Sequence, residues 1–329
     1  MSSDRLLPRW ASSRWSGLSP AQRLGVLMLS SAGIFLLISL IDAPVLLEPL
    51  RFVVGLLALV IIPGSLVNAV LSPDSLHNLW TNILTGILLV VGATHVLLLL
   101  NVTFGLRVML SVWLTTTSLI VVLTVLLIEG SRGIEVGYRR LTAHGITDAV
   151  ALRWMVVALI LRLSLLVFVP GCIAPDAALY ADYARHIVQG TFTSGIQGDY
   201  TVTQYSDTVQ LLPHQSISYV FALSFLLADG RVLGPSPILI VNGLVLVYMV
   251  YWLTERYFGE GAARWSLAIT SVHPLLVFFS VVPYGSELTS LVYLLFSWAL
   301  LSEGVGRDRR VEAFAGGLVA LVESIWLPN

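Results

Sequence analysis

The residues from Pro175 to Gly190 have the types and spacing best suited to chemistry. Two tyrosines, two aspartates, an arginine and a histidine lie here between a proline that favours a helix start and a glycine that favours a helix end. Asp176 falls in the first turn of this predicted helix, where the helix dipole favours an ionised carboxylate. Such a carboxylate can act as a general base toward a hydroxyl or amine acceptor. The alternative is that Asp176 only caps the helix.

Helical spacing divides this segment into an apolar stripe and a polar side. Asp182 and Arg185 are three residues apart, close enough to form an ion pair on the polar side. As an ordinary surface residue, His186 would be solvated there. The predicted apolar stripe consists of Ala177, Tyr180, Ala184 and Ile187.

The composition of the chain is that of a membrane protein. Hydrophobic residues make up 57% of the 329 residues and charged residues only 11%, whereas a soluble domain carries about 25% charged residues. The net charge is −1 and no basic block exceeds Arg139-Arg140, which argues against a nucleic-acid partner. The single cysteine, Cys172, can form neither an internal disulfide nor a thiolate metal site. No other cluster has metal-ligand spacing, so we expect no metal site.

Hydropathy predicts an all-α polytopic membrane protein with about nine transmembrane helices. The apolar segment Ser216–Ala228 is too short for a span and is expected to be a re-entrant or juxtamembrane segment. The predicted spans are Leu24–Ile41, Leu50–Leu71, Ile83–Leu100, Leu106–Ile128, Trp154–Val169, Pro237–Leu253, Trp265–Val282, Leu288–Leu301 and Ala313–Leu327.

Charge and glycine content divide the chain into two membrane modules. Residues 1–23 are predicted to be a cytoplasmic N-terminus, 24–128 a four-helix membrane module, and 129–153 a cytoplasmic linker. Residues 154–329 form the second module, which contains the polar loop 171–213 and is expected to be incomplete at its C-terminus.

The positive-inside rule orients these modules in the membrane. The arginine-rich N-terminus and linker are expected in the cytoplasm, and the acidic loop 171–213 outside. If Ser216–Ala228 dips into the bilayer and returns, Glu287 lies on the same outer face as Asp176. We therefore expect a multi-pass plasma-membrane protein with a cytoplasmic N-terminus.

Three motifs in the second module resemble GT-C glycosyltransferases, and more narrowly the family 39 group of protein O-mannosyltransferases and lipid A aminoarabinose transferases. The first is Pro-Asp-x-x-x-Tyr-x-x-Tyr-Ala-Arg at 175–185, which follows a span and precedes Gly190. The second is Leu-Pro-His-Gln at 212–215, and the third is Pro-Tyr-Gly-Ser-Glu at 283–287. The resemblance covers about residues 153–329 and implies a GT-C-like fold for this half.

The resemblance implies a membrane glycosyltransferase that moves a sugar from a polyprenyl-phosphate-linked donor to an acceptor on the extracytoplasmic face. It assigns Asp176 as the catalytic base and Glu287 as a second catalytic acid that positions the acceptor or a cation. It also implies that Arg185 or His186 contacts the lipid phosphate. The expected substrate-binding residues are Tyr180, Asp182, Arg185, His186 and His214.

The same resemblance sets expectations for cofactors and partners. No cofactor is expected beyond the lipid-linked sugar, and a divalent cation has no support in the sequence. The partners would be membrane lipid, the donor, a glycan, lipid or protein acceptor, and a partner subunit if the chain is incomplete. Many family members have Asp-Glu where this chain has Asp176-Ala177, so Asp182 or Asp199 would have to supply any role of that glutamate.

Two other functions compete with glycosyl transfer. A transporter or flippase would need ionisable residues near the bilayer midplane, and Arg162 is the one clear mid-span charge, which is expected to snorkel to the interface. A non-catalytic membrane scaffold is the third interpretation. The front module, about Pro44–Ile128, resembles archaeal membrane proteins of domain of unknown function 1616, which implies no activity. Its Asn68, His77, Asn82 and His95 are expected to make packing hydrogen bonds.

Overall fold

The computed structural model describes residues 19–40, 47–71, 79–105, 108–141, 149–168, 175–190, 215–228, 234–282 and 316. Within these ranges the regular elements are helices and none is a strand. Six helices are long and apolar enough to cross a membrane, which confirms an all-α protein of the multi-pass type. The helices are α1 (Pro20–Leu40), α2 (Glu48–Gly55), a π-helix (Leu56–Ile61), α3 (Ile62–Leu71), α4 (Leu79–Phe104), α5 (Leu110–Leu141), α6 (Ala149–Phe168), α7 (Pro175–Gln189), α8 (Gln215–Ala228), α9 (Ser236–Phe258), α10 (Glu260–Val272) and α11 (Pro274–Phe279).

The first five predicted spans and Pro237–Leu253 each coincide with a candidate span in the structure. The predicted span Trp265–Val282 is not one continuous helix but two, α10 and α11, separated at His273. Pro274 explains the break, since a proline disfavours helical geometry in the residue before it and has no N–H to donate. His273 accordingly has extended backbone angles, with φ −59° and ψ 120°. The predicted spans Leu288–Leu301 and Ala313–Leu327 lie outside the described residues, apart from Gly316.

The predicted linker 129–153 is partly helical. Helix α5 kinks at Gly130, where φ is 62° and ψ is −154°, and continues to Leu141. Helix α6 then begins at Ala149, five residues before the predicted start of its span at Trp154. Hydropathy marks only the apolar part of a helix, so it misses the charged turns that extend beyond the bilayer.

The second span contains a π-helix and a very close helix contact. Pro63 cannot donate a hydrogen bond, and the turn before it widens so that the Ile62 N–H donates to the Leu57 carbonyl five residues back. A Cβ at Gly64 would lie 2.0 Å from the Asn82 carbonyl oxygen, and one at Gly86 would lie 2.0 Å from the Val60 carbonyl oxygen. Only glycine permits this approach, as in other small-residue contacts between membrane helices.

Buried polar side chains cross-link the same two helices. Asn68 Nδ2 donates to Asn82 Oδ1 over 3.0 Å, and Thr85 Oγ1 donates to Asn68 Oδ1 over 2.8 Å. A further contact joins α4 to α8, where His95 Nδ1 lies 3.1 Å from the hydroxyl of Tyr219. These contacts confirm the prediction of packing hydrogen bonds for Asn68, Asn82 and His95, whereas His77 lies outside the described residues.

Helix α8 is the centre of the described bundle. Its residues from Ile217 to Ala228 are all buried, and it packs against α2, α4, α7 and α9. One apolar core therefore contains residues of both predicted modules, for example Leu84 of α4 and Val245 of α9. Helix α9 is the most enclosed span, with 72% of its residues buried, whereas α6 is peripheral with 22% buried. The remaining faces of α5 and α6 expose leucine and isoleucine side chains, as lipid-facing surfaces do.

Candidate functional site

Helix α7 carries most of the predicted site and runs from Pro175 to Gln189, as the sequence predicts. Asp176 is its second residue and therefore lies in the first turn. Gly190 ends the helix with φ +67°, a conformation that favours glycine. A Cβ at Gly190 would also lie 3.3 Å from the carbonyl oxygen of Val108. The end of α7 therefore abuts the segment that leads into α5 of the front module.

One face of α7 packs against the buried helix α8. Ala181, Ala184 and Ile187 are buried there, and Tyr180 is half-buried beside them. The predicted apolar stripe is thus confirmed for Tyr180, Ala184 and Ile187, with Ala181 added. The fourth predicted member, Ala177, lies outside the described side chains. Because small residues dominate this face, α7 and α8 can pack closely and α7 has a fixed position.

The predicted ion pair between Asp182 and Arg185 is wrong. Asp182 instead faces His186, one full turn along the helix, with Oδ2 3.7 Å from Nε2. The expected solvation of His186 is only partial, because its side chain is 30% exposed against 55% for Asp182. Residues three and four apart on a helix are both neighbours, and the choice here follows from what Arg185 contacts.

Arg185 lies over the aromatic ring of Phe225 on α8. The guanidinium carbon is 5.2 Å from the ring centroid, within the range of a cation–π interaction. A guanidinium on a ring face keeps its N–H donors in its own plane. In the described part of the chain these donors make no hydrogen bond, so they are available to an anion at this exposed position. The arrangement is compatible with the phosphate contact expected of Arg185.

Tyr183 also belongs to this site, although the sequence motif alone assigns it no role. It is half-buried on α7, and burial, followed by the neighbouring Asp182 carboxylate, raises the pKa of its phenol above the ordinary value. A phenol held in its neutral form can donate a hydrogen bond to a substrate oxygen. The repeated tyrosine of the motif at 175–185 was the available signal.

The side chains of three predicted site residues lie outside the described part of the structure. The backbone of Asp176 is placed on α7, but its side chain lies outside the described residues. His214, next to the first residue of α8, and Glu287 are also outside them. The convergence of Asp176 and Glu287 therefore stays a prediction. In the ranges that the structure describes, no group of three or more His, Cys, Asp or Glu side chains is arranged to hold a metal ion.

Arg162 forms a second polar feature, and the expectation that it snorkels to the interface is wrong. Its exposed fraction is 0%, although α6 as a whole is peripheral. It continues the buried stripe of α6 formed by Ala151, Met155 and Ala158, which turns it toward the bundle. Its Nη1 donates to the carbonyl oxygens of Ala158, over 3.0 Å, and of Ser271 on α10, over 3.4 Å.

Comparisons with protein-family models, with curated protein sequences and with solved structures give no match to this chain.

Proposed function

We propose that this protein is a membrane glycosyltransferase that moves a sugar from a polyprenyl-phosphate donor to an acceptor on the extracytoplasmic face. The observation that carries the proposal is the position of Asp176 in the first turn of α7, shortly after a candidate span and on a helix anchored to the buried α8. An ionised carboxylate fixed at the end of a span is where a base for a lipid-linked substrate is needed.

The proposed reaction uses Asp176 as the general base. Its carboxylate accepts the proton of an acceptor hydroxyl or amine, whose oxygen or nitrogen forms a bond to the anomeric carbon of the sugar. The bond between that carbon and the phosphate oxygen breaks, and the polyprenyl phosphate leaves with the electron pair. In this proposal Glu287 positions the acceptor from the segment that follows α11, and no metal ion is required.

The substrate contacts belong mainly to the exposed side of α7. Arg185 offers in-plane N–H donors that suit the oxygens of the lipid phosphate, and its position on Phe225 keeps it oriented. His186, beside Asp182, supplies a second polar group one residue further along the helix. Tyr180 and Tyr183 lie at the edge of the buried face, where a sugar ring can stack on an aromatic side chain. His214 would contact the acceptor from the start of α8.

The test is sugar transfer in isolated membranes supplied with labelled polyprenyl-phosphate sugars. The isosteric variant Asp176→Asn keeps the shape of the side chain but removes the base. Glu260→Gln is the control, since it makes the same acid-to-amide change at an exposed carboxylate outside the proposed site. Transfer by the wild type and Glu260→Gln but not by Asp176→Asn supports the proposal. Equal transfer by all three proteins refutes the assigned base.

A transporter or flippase for a lipid-linked anion is the second candidate function. It is favoured by the helix break at His273 beside the buried Arg162, because broken helices and intramembrane charges are typical of transporters. Reconstituted vesicles can separate the two functions. Movement of labelled polyprenyl phosphate across the bilayer without formation of a glycosylated product would favour transport, provided that Arg162→Gln abolishes the movement.

A further inference from the structure

Arg162 is a charged group enclosed by the bundle. In the described part of the chain no other charged side chain has an exposed fraction of 0%. A guanidinium stays protonated in proteins, so the positive charge persists inside the span. Charged residues within membrane spans are rare and generally pair with an opposite charge or line a functional site. The positive charge of Arg162 therefore requires a negative charge or dipole nearby.

The break between α10 and α11 supplies part of the balance. Ser271 lies in the last turn of α10, and its carbonyl oxygen cannot receive the usual helical hydrogen bond because the helix stops before His273. Nη1 of Arg162 donates to this oxygen. The C-terminal end of a helix carries a partial negative charge of about half an electron, so the contact is favourable but does not neutralise the guanidinium.

Two nitrogens of the guanidinium, Nε and Nη2, are buried and make no hydrogen bond within the described chain. The ion pairs found among the described residues, His186 with Asp182 and Arg264 with Glu260, do not involve Arg162. Nε and one Nη nitrogen of a guanidinium form the fork that binds two oxygens of a phosphate or carboxylate side by side. The unpaired donors are thus suited to an oxyanion.

A glycine and two serines, Gly243, Ser271 and Ser280, lie next to Arg162. A Cβ at Gly243 of α9 would lie 3.0 Å from Arg162 Nε and 2.1 Å from Ser280 Oγ, so these three residues meet at one point. The hydroxyl of Ser271 is buried and has no hydrogen-bond partner within the described chain. Arg162 and Ser271 therefore both present unused donors in the same part of the bundle.

A short helix lies between this point and the outside of the bundle. Helix α11 packs on both α6 and α9, yet none of its six residues is buried, and Leu275 is 58% exposed. The helix breaks at His273 on one side and ends at Ser280 on the other. Helix α11 therefore packs on the two helices that carry Arg162 and Gly243 and leaves its own side chains partly or fully exposed.

We propose that Arg162 binds a phosphate group carried by a membrane lipid, through Nε and Nη2 and with the Ser271 hydroxyl as a further donor. The ligand must bring a negative charge into an apolar bundle, which a lipid with a phosphate headgroup does and a free ion does poorly. The choice of polyprenyl phosphate as the first lipid to test rests on the proposed function. A glycerophospholipid carries the same phosphate chemistry and is the alternative source.

The experiment measures lipid binding to the full-length protein in detergent, so its outcome does not depend on sugar transfer. The probes are a long-chain polyprenyl phosphate, the matching polyprenol without phosphate, and phosphatidic acid. Arg162→Gln should weaken binding of a phosphate lipid by about 10–100-fold, the effect of losing a charge-assisted hydrogen bond. Arg153→Gln is the matched control, because Arg153 is exposed on the same helix. Polyprenol binding should be the same in all variants.

Two further variants keep the test decisive if Arg162→Gln does not fold. Arg162→Lys retains the charge but lacks Nε–H and the paired fork, so phosphate-lipid binding should still fall while thermal stability recovers. Glu323 is the one carboxylate inside a predicted span, Ala313–Leu327, and is the alternative partner for Arg162. If adding Glu323→Gln restores the stability that Arg162→Gln loses, the two side chains form an ion pair and the phosphate site is refuted.

The remaining outcomes separate this inference from the proposed function. If Arg162→Gln loses only polyprenyl phosphate binding, the ligand is the donor lipid. If it loses only phosphatidic acid binding, the ligand is a bilayer lipid. Either result supports the site. Unchanged binding of both lipids to a folded Arg162→Gln protein overturns it, even if sugar transfer occurs. Conversely, the wild type could transfer no sugar while Arg162→Gln still weakens phosphate-lipid binding. That result overturns the proposed function and supports the phosphate site.

Discussion

Arg185 lies with its guanidinium carbon 5.2 Å from the centroid of the Phe225 ring, and this contact joins the surface helix α7 to the buried helix α8. Phe225 is itself buried in the core of the bundle. The cation is therefore oriented by a rigid element, while its N–H donors stay on the exposed side. Asp182 on the same helix faces His186 instead of Arg185.

This contact predicts a specific effect of Phe225→Leu on donor binding. The leucine keeps most of the apolar volume but removes the ring face, at a cost of about 0.5–1 kcal/mol for an exposed cation–π contact. The KM for the polyprenyl-phosphate sugar should rise about two- to fivefold with kcat little changed. Phe221→Leu on the same helix is the control, because Phe221 is buried and has no arginine over its ring in the described part of the chain. Equal changes in KM for the two variants would show that Arg185 does not depend on the ring.

Tyr183 predicts a change in the alkaline stability of the protein. Burial raises the pKa of its phenol above the ordinary value of 10.0, so its contribution to stability is present below that pH and is lost as the pH rises through the folded-state pKa. Tyr183→Phe cannot ionise and should therefore lose less stability than the wild type between about pH 9 and about pH 11. Thermal unfolding in detergent at both pH values measures the difference. An identical loss in both proteins would contradict the assignment.

The contact between α3 and α4 predicts unequal effects of two glycine-to-alanine substitutions. Gly64→Ala would place a methyl group 2.0 Å from the Asn82 carbonyl oxygen, and overpacking of this kind costs about 1–3 kcal/mol. At Gly92 of α4 an added Cβ meets nothing within 4 Å, so Gly92→Ala should not destabilise the protein. The melting temperatures of the two variants give the comparison. If both variants have the melting temperature of the wild type, the two helices do not approach as closely as described.

Much of the helical layout follows from the sequence, because a span must be apolar over about 20 residues. Helix α7 is also predictable, since Pro175 and Gly190 punctuate it. Pro274 is a local signal for the break at His273, but a hydropathy profile does not detect a proline within an apolar segment.

Other features depend on tertiary contacts that no local pattern contains. Asp182 has possible partners three and four residues away, and the position of Phe225 on another helix decides between them. Snorkelling was a reasonable expectation for Arg162 on a peripheral helix. Arg162 follows the stripe of Ala151, Met155 and Ala158. This stripe predicts that Arg162 is buried only if it is known that this face of α6 packs against the bundle.

The most direct test of the proposed function is the rate of sugar transfer by Asp176→Asn relative to the wild type. Both proteins should be present at equal levels in the membranes, with a labelled polyprenyl-phosphate sugar as the donor. Loss of a general base should lower kcat by about 10²–10⁴-fold, with little change in donor binding. A wild-type kcat in the Asp176→Asn variant would contradict the central claim that this carboxylate activates the acceptor.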